Sequence, residues 1–226
     1  YCRSSSVACA ASTLSPALPS TIQGPCGSTP AYCSFYMLKY AGVDPQGRWI
    51  VYDKDGDMVL ADNATDDDRQ YVGNGLPKFT GSMTHTFRYK NFDASIFFQT
   101  ALGFDIFNIH DFYYGTKNFQ GNVMDKAYSK NKIISENPIV CDYFLEPGDY
   151  LKLSSVSLGY TFRLKNCKYL DAARIYATGG NLYTWTRFSG VDPSTYQVNG
   201  LNPGATGSRS YYPSTRQFLV GVQLDF

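Results

Sequence analysis

Apolar and polar residues alternate along several stretches of the chain, and this alternation predicts long β-strands. Between residues 79 and 90, mostly apolar or aromatic side chains fill one set of alternate positions, and Thr, Ser, Arg and Lys fill the other. A repeat of two residues is typical of a strand, because successive side chains point to opposite faces. After a turn at Asn91 the alternation returns between residues 92 and 102, so the two runs predict a long hairpin.

Three more alternating runs follow, at residues 150–163, 172–186 and 216–226. In the last run one face carries Phe218, Val220, Val222, Leu224 and Phe226, and the other carries Gln217, Leu219, Gly221, Gln223 and Asp225. Strands that follow one another in sequence usually pair in space. We therefore predict an all-β fold in which the five runs are antiparallel strands of one curved sheet.

The first part of the chain is less regular. Residues 1–32 are rich in Ser, Ala, Pro, Gly and Cys and show no period, so they are interpreted as an irregular, low-complexity segment. Residues 33–226 are interpreted as strands and loops of one domain. Within them, "SFYMLKYAG" predicts a strand, and "RWIVYDKDGDMVLA" predicts a short hairpin that turns at Asp55 and Gly56.

The connections between the five long runs alternate between short and long. The turn at Asn91 and the segment "LKNCKYLDA" are short, whereas about 45 residues without lasting periodicity precede residue 150 and a second long loop covers residues 187–214. Transmembrane barrels have short turns on one side of the membrane and long loops on the other. The runs also reach the roughly 9 to 11 residues that a tilted membrane-spanning strand needs.

Aromatic residues lie near both ends of these runs. Tyr and Trp settle at membrane interfaces because each has an apolar body and a polar tip. Ordinary cross-strand pairing explains any one of them, but their repetition at both ends favours aromatic girdles. The residues concerned are Tyr89, Phe92, Tyr160 and Phe162 at one end and Tyr183 and Trp185 at the other. The alternative interpretation is a soluble or surface-attached β-sandwich that binds glycans.

Composition and charge narrow the function classes. The chain has 19 Tyr, 15 Phe and 20 Gly, a mixture that suits strands and turns, and its net charge of +1 is not that of a nucleic-acid-binding protein. His85 and His110 lack the partners of a catalytic triad or a metal site, so neither an enzyme nor a cofactor is predicted. Asp53, Asp55 and Asp57 offer carboxylates to calcium, but the later Glu of an EF-hand is absent and a polar turn is favoured.

The cysteines and the first residue of the sequence bear on disulfide formation and on processing of the chain. The even number of cysteines permits disulfides, but their spacing matches no zinc motif and leaves the pairing open. The six are Cys2, Cys9, Cys26, Cys33, Cys141 and Cys167. Because the sequence begins at Tyr1 without an initiator Met or a signal peptide, we expect it to be a processed or truncated piece.

Four segments resemble, in order and spacing, the C-terminal part of the SusC/RagA family of TonB-dependent outer-membrane transporters. They are "LPKFTGSMTHTFRYKNFDASIFFQTALGFDIFN", "EPGDYLKLSSVSLGYTF", "ATGGNLYTWTRFSGVDP" and "YPSTRQFLVGVQLDF". The acidic stretch upstream, "DKDGDMVLADNATDDDRQYVGNGLPKF", is also similar to that family. The resemblance covers about residues 34–226.

This resemblance implies a fold and a function. The fold would be a transmembrane β-barrel of about 22 antiparallel strands closed around a plug, of which this chain holds only C-terminal strands. The function would be the import of oligosaccharides or peptides across the outer membrane of a Gram-negative bacterium. Energy would come through TonB, which contacts an N-terminal part that this chain lacks together with the plug, and a SusD-like surface lipoprotein would act as the lid.

Two groups of residues acquire candidate roles. In such barrels the last strand carries the signal that the barrel assembly machinery reads, and the resemblance gives this role to Phe226, Leu224 and Val222, whose face would contact outer-membrane lipid. Loop aromatics can stack on sugar rings, although packing within the loops explains them equally well. These aromatics are Tyr113, Tyr114, Tyr196, Tyr211 and Tyr212.

Overall fold

The computed structural model describes residues 34–119, 121–163, 171–196, 204–205 and 212–225. In chain order the strands are β1 (Ser34–Met37), β2 (Lys39–Val43), β3 (Trp49–Tyr52), β4 (Met58–Leu60), β5 (Gln70–Asn74), β6 (Phe79–Tyr89), β7 (Phe92–Leu102), β8 (Asp105–Phe107), β9 (Leu145–Pro147), β10 (Tyr150–Arg163), β11 (Ala172–Thr186) and β12 (Gln217–Asp225). The α-helices are α1 (Ile109–Tyr114) and α2 (Pro193–Tyr196). The predictions for residues 1–32, and five of the six cysteines, lie outside the described residues.

The five long strands form one antiparallel sheet in the order β12–β11–β10–β7–β6. Each of these five strands pairs with the long strand that precedes or follows it along the chain. The observed bounds lie within one residue of the predicted runs. The β6–β7 turn is closed by Lys90, whose φ of 54° lies in the left-handed region, and Asn91. The prediction of a single antiparallel sheet is confirmed.

A β-bulge keeps the apolar residues of β10 on one face. Leu153 pairs with Phe98 and Ser155 pairs with Phe97, so Ser154 is the extra residue. An inserted residue reverses the side-chain alternation of the strand beyond it. Leu151 and Leu153 therefore share a face with Val156 and Leu158, although their positions along the sequence differ in parity.

The predicted long loop before residue 150 is wrong as a description of this segment, because its described residues form short strands and helices. Residues 34–74 and 103–149, with residues 187–196 and 204–205, form what we call the end unit. Its small sheets are β1–β5, β2–β3–β4 and β8–β9, and short 3-10 helices link them. The fully buried Trp49 donates from Nε1 to the carbonyl of Asn137 at 2.9 Å. The core residues are Phe35, Met37, Trp49, Phe107, Ile134, Cys141, Phe144 and Ala205.

The end unit lies at one end of the large sheet. Ala101 near the end of β7, Tyr150 at the start of β10 and Phe188 after β11 pack with Phe104 and Ile106 of the end unit. The β6–β7 turn is at the opposite end of the strands. The long connections therefore gather at one end of the sheet, as their lengths predicted. No helix in the described parts of the chain is long and apolar enough to cross a membrane.

Candidate functional site: the two faces of the sheet

One face of the large sheet is apolar and exposed. Register aligns the alternating apolar side chains of all five strands on this side, and in β12 the exposed fraction is 78% for Phe218 and 74% for Val220. An apolar patch of this extent marks an interaction surface. Its exposed members are Phe79, Met83, Phe87, Tyr89, Phe92, Leu102, Leu151, Leu158, Phe162, Ile175, Tyr183, Trp185, Phe218, Val220, Val222 and Leu224.

Aromatic rings border the apolar face at both ends. Near the β6–β7 turn the Tyr160 ring packs edge-to-face against Phe92 and Phe162, with centroids 4.6 and 4.5 Å apart. Towards the end unit the rings of Tyr183 and Trp185 lie 4.8 Å apart. The two groups are separated by about eight residues, roughly 26 Å at 3.3 Å per residue. This spacing is close to the height of the lipid-facing band of transmembrane barrels, about 25 Å.

The opposite face is mainly polar. Hydroxyl groups line up across the strands, and the Thr178 hydroxyl donates to Ser157 Oγ at 3.0 Å. Apolar exceptions exist, since Phe97 and Leu219 also point to this side according to the register. The two faces of the sheet thus differ in polarity, and a function assigned to the sheet has to account for both faces.

An ion pair lies flat across the polar face. Arg174 of β11 donates from Nε and Nη2 to Asp93 of β7 at 3.1 and 2.5 Å, passing over Gly159 of β10. A Cβ on Gly159 would lie 2.6 Å from Asp93 Oδ1. The Tyr176 ring likewise lies over Gly221 of β12, and the Arg174 guanidinium is 5.3 Å from the centre of that ring.

A buried lysine connects the polar face to the end unit. Lys152 pairs with Gln99 and Thr184 in the sheet, so it points to the polar side. Its Nζ lies 3.5 Å from Asp192 Oδ2, and it donates to Ser194 Oγ at 3.0 Å and to Ser214 Oγ at 3.1 Å. Only 6% of Lys152 and 7% of Asp192 is exposed.

The electrostatics around Asp192 favour its charged form. Burial by itself would raise the pKa of Asp192, but the hydrogen bonds from Ser214 and Ser194 and the charge of Lys152 outweigh it and lower the pKa. Asp192 is therefore ionised at neutral pH. Its charge and its hydrogen bonds hold the residue 191–195 segment close to the strand, since separating a buried charge from its partners leaves it uncompensated.

A polar groove of about 480 Å³ runs beside this contact. Thr80, Ser82, Gln99 and Tyr150 from the sheet line one side, and Ser194 lines the other. None of the described residues that line the groove carries a charged side chain. The groove offers hydroxyl and amide groups for hydrogen bonding.

The loop aromatics that the sequence suggested for ligand contact occupy different environments. Tyr113 and Tyr114 are half-buried in α1, where Tyr113 packs against Phe112 and Tyr114 packs against Phe119. Tyr212 is exposed just before β12. Tyr196 ends α2, and both its side chain and Tyr211 lie outside the described residues. A ligand role for any of them stays a prediction.

The proposed assembly signal is described in part. Val222 and Leu224 lie on the apolar face, opposite Ile175 and Ala173 of β11. Phe226 lies outside the described residues. The register confirms that Val222 and Leu224 share the apolar face, whereas their reading by the assembly machinery stays a prediction.

The remaining candidate chemistry is structural where the chain is described. Asp53 Oδ1 accepts hydrogen bonds from the backbone N–H groups of Asp55 and Asp57, both at 2.9 Å, which closes the turn predicted at Gly56. The His85 ring stacks at 6.1 Å from Phe87 on the outside of β6. Across the described ranges, His, Cys, Asp and Glu side chains form no group that could hold a metal ion.

The two polar contacts were not predicted from the sequence. Lys152 and Asp192 are 40 residues apart, and Asp93 and Arg174 are 81 apart, so no local pattern joins them. A readable signal did exist, because Gly159 interrupts a strand of larger residues. A glycine inside a strand often marks a place where another group approaches closely.

Comparison with known proteins gives relatives of one kind. No family model matches the chain. It is 27% identical to TonB-dependent receptor P3 of Formosa agariphila over an alignment of 220 residues that covers 85% of this chain and 22% of the relative. It is 27% identical to the TonB-dependent receptor SusC of Bacteroides thetaiotaomicron over 156 residues, covering 64% of this chain and 15% of SusC.

Solved structures agree with these relatives. The structure of the RagAB peptide transporter superposes with a TM-score of 0.69 and 25% identity, covering 85% of this chain and 23% of that one. A RagAB peptide importer in a closed-closed state gives a TM-score of 0.68 at the same identity. The chain spans about a fifth of the length of the curated relatives that it matches most extensively. The resemblance carried by the sequence motifs is therefore confirmed, and the chain is similar to one part of the TonB-dependent receptors of the SusC/RagA type.

Proposed function

We propose that residues 33–226 form one wall of an outer-membrane barrel, with the apolar face against lipid and the polar face towards the interior. The observation that carries this proposal is the exposed apolar face, bordered at both ends by aromatic rings. The ion pair over Gly159 on the opposite side supports it. Charged groups are costly against hydrocarbon, whereas the interior of a barrel admits them.

The substrate and the partners follow from the relatives. In the whole protein the barrel imports oligosaccharides or peptides into a Gram-negative cell, with energy supplied through TonB and a SusD-like lipoprotein at the surface. The similarity to SusC and to a RagAB peptide transporter supports this assignment. The end unit then faces outwards and the β6–β7 turn faces the periplasm, because long connections lie outside in such barrels. The loop tyrosines, Tyr113 and Tyr212 among them, are candidates for contact with the substrate.

The two tryptophans of this chain provide a direct test. Trp185 lies on the apolar face and is 48% exposed, whereas Trp49 is fully buried in the end unit. The chain is refolded into bilayers of brominated phosphatidylcholine, whose bromine atoms quench only fluorophores that contact the acyl region. We expect the emission of Trp185 to be quenched and that of Trp49 to be unaffected.

Single-tryptophan variants separate the two signals. In Trp49→Phe the remaining emission is quenched strongly, and in Trp185→Phe it is not. Equal quenching of both variants, or none in either, contradicts a lipid-facing sheet. Trp185 emission that brominated lipid does not quench, because a second sheet covers the apolar face, is the result expected for the glycan-binding β-sandwich.

The last strand also carries a proposed assembly signal. The side chains of Val222, Leu224 and Phe226 form the apolar end of this strand that the barrel assembly machinery recognises. In the full-length parent, Leu224→Ser lowers the amount of assembled barrel, while Leu219→Ser on the polar face leaves it unchanged. Heat-modifiable mobility of the outer-membrane fraction measures both. Equal amounts for the two variants contradict the signal.

A further inference from the structure

The residue 191–195 segment lies over the polar face of the sheet. Lys152 is a sheet residue on that side, and both Asp192 and Ser194 contact its Nζ. Ser214, which precedes β12, contacts the same nitrogen at 3.1 Å. One side chain of the sheet therefore holds both described ends of the connection between β11 and β12.

The segment is also braced internally. Asp192 Oδ1 accepts hydrogen bonds from the backbone N–H of Ser194 at 3.0 Å and from its hydroxyl at 2.7 Å. The Thr195 hydroxyl donates to the carbonyl of Asp192 at 2.9 Å. A compact turn of this kind moves as one piece, so its position depends on the contact with Lys152.

Ser194 is the point at which this segment reaches the polar groove. The groove runs between Ser194 and residues Thr80, Ser82 and Gln99 of the sheet. Its width is therefore set by how far Lys152 draws the segment towards the strand. If the polar face lines the interior of the barrel, anything that moves along it at this end passes Ser194.

We propose that the residue 191–195 segment is a fixed wall over the polar face that narrows the interior passage, and that Lys152 is the residue that positions it. This inference rests on the proposed function, because only a barrel interior makes the groove a passage. Lys152 acts through Asp192 and Ser194, so the passage is narrowed by Ser194 and its neighbours rather than by the lysine.

Distance measurement tests the position of the wall without reference to transport. In the full-length parent, with its native cysteines replaced by alanine, spin labels are attached to Ser82→Cys and Val191→Cys. We expect a single narrow distance distribution. Lys152→Met broadens it and moves it to longer distances, and Asp192→Asn does the same, which keeps the test decisive if the buried Met variant does not fold.

Arg216→Met is the matched control. Arg216 lines the cavity beside Lys152 and Asp192, but it is exposed, and the nitrogen that donates to Ser194 and Ser214 belongs to Lys152. Its removal leaves the distance distribution unchanged. A distribution that is equally narrow in Lys152→Met and Asp192→Asn overturns the positioning role.

Entry of a bulky solute tests the passage separately. Cells that express the parent with its plug deleted and Lys152→Met are expected to become several-fold more sensitive to vancomycin than cells with the plug deleted and Arg216→Met. Greater sensitivity together with a broadened distance supports the inference. A broadened distance with unchanged sensitivity overturns the passage role, and an unchanged distance overturns the positioning role. Neither result bears on lipid contact of the apolar face, which the quenching of Trp185 decides separately.

Discussion

At the scale of single residues, glycines decide where long side chains lie on the polar face. Gly159 leaves room for the guanidinium of Arg174 to reach Asp93 two strands away, and Gly221 leaves room for the ring of Tyr176. Glycine weakens a strand because it adds backbone entropy to the unfolded state and packs nothing. Here that cost is offset by the pairing of Asp93 with Arg174, which adds to the charge of Arg88 directly opposite Asp93 on β6.

Gly159→Ala is expected to disrupt this ion pair. The new Cβ would lie 2.6 and 2.7 Å from the Asp93 carboxylate oxygens and 2.8 Å from Arg174 Nη2, so the pair must shift. Because the atoms that must move are the ends of partly exposed side chains, the loss in the free energy of unfolding is expected to be about 0.2–1 kcal/mol, the value of a surface ion pair. Gly180→Ala is the control, because its Cβ meets Gln217 Cβ at an ordinary 3.7 Å. Urea unfolding of the lipid-reconstituted protein measures both, and equal losses would contradict a role for the pair.

Adjacent residues of β12 provide a test of the two faces. Val220 pairs with Ala177 on the apolar face, and Leu219 pairs with Thr178 on the polar face. In a bilayer, Val220→Arg is expected to cost up to about 2–4 kcal/mol, the value for a lipid-facing charge near the midplane. Leu219→Arg should cost far less. Val222 and Gln223 are less suitable positions for this comparison. Gln223 lies opposite Arg174, so an arginine placed there would be destabilised by a like charge whichever face contacts lipid. Equal costs at Val220 and Leu219, measured by unfolding in lipid vesicles, would show that neither face contacts lipid.

At the scale of elements, the long strands and the β3–β4 hairpin of the end unit were predictable, and the rest of the end unit was not. A run of nine or more residues displays its period of two several times, so local sequence identifies it. The bulge in β10 can be recognised in the sequence once the structure is known. The apolar positions change from odd numbers, Leu151 and Leu153, to even numbers from Val156 onwards. Only the register with β7 shows that both sets share one face.

Most of the end unit lacks a periodic sequence pattern, because its elements are too short to repeat one. β8 and β9 have three residues each and α1 has six, which is fewer than two helical turns. Its core joins Trp49, Phe107 and Phe144 from segments far apart in sequence. Packing between distant segments, rather than local propensity, stabilises these elements.

Glu146 connects two parts of the end unit and gives it a pH dependence. Ser189 donates to its carboxylate from the backbone N–H at 2.7 Å and from the hydroxyl at 2.6 Å. Burial would raise the pKa of Glu146, but these bonds, the Asn108 amide and the charge of Lys126 lower it overall. Its stabilising effect is therefore complete above the unfolded-state pKa of about 4.3 and is lost as pH falls through the lower folded-state value.

Glu146→Gln should remove this contribution. The free energy of unfolding of the wild type is expected to fall more steeply than that of the variant as the pH is lowered from about 6 to about 3. At neutral pH the variant is the less stable of the two, because the amide replaces a charged acceptor of three hydrogen bonds. Parallel curves for the two proteins would show that Glu146 has an ordinary pKa in the folded state.

At the scale of the whole molecule, the sheet presents two edges and an apolar face. β6 and β12 are the outer strands of the large sheet, so each has one side without a strand partner among the described residues. A β-sandwich would cover the apolar face with a second sheet. The small sheets in the described ranges belong to the end unit, and the apolar residues remain exposed.

Which residues share the apolar face could be predicted from sequence, but what lies beside the two outer strands could not. Alternation alone placed Phe218, Val220 and Val222 on one side, and the register confirms it. The partners of β6 and β12 leave no trace in these residues, since backbone hydrogen bonds to another strand require no particular side chain. The same holds for Lys152, whose burial depends on a segment 40 residues away.

The isolated chain is therefore expected to associate in plain buffer and to disperse in detergent. Two strand edges and an apolar face that spans five strands are both sites for self-association in water. Detergent covers the face but not the edges, so small detergent-bound oligomers are expected rather than strict monomers. The chain is diluted from urea into buffer with and without lauryldimethylamine oxide, and sedimentation velocity gives the size in each.

Val220→Arg should reduce association in buffer more than Leu219→Arg, because only the first interrupts the apolar face. A monodisperse monomer in plain buffer would require that something covers this face, which is the arrangement of a β-sandwich and not of a barrel wall.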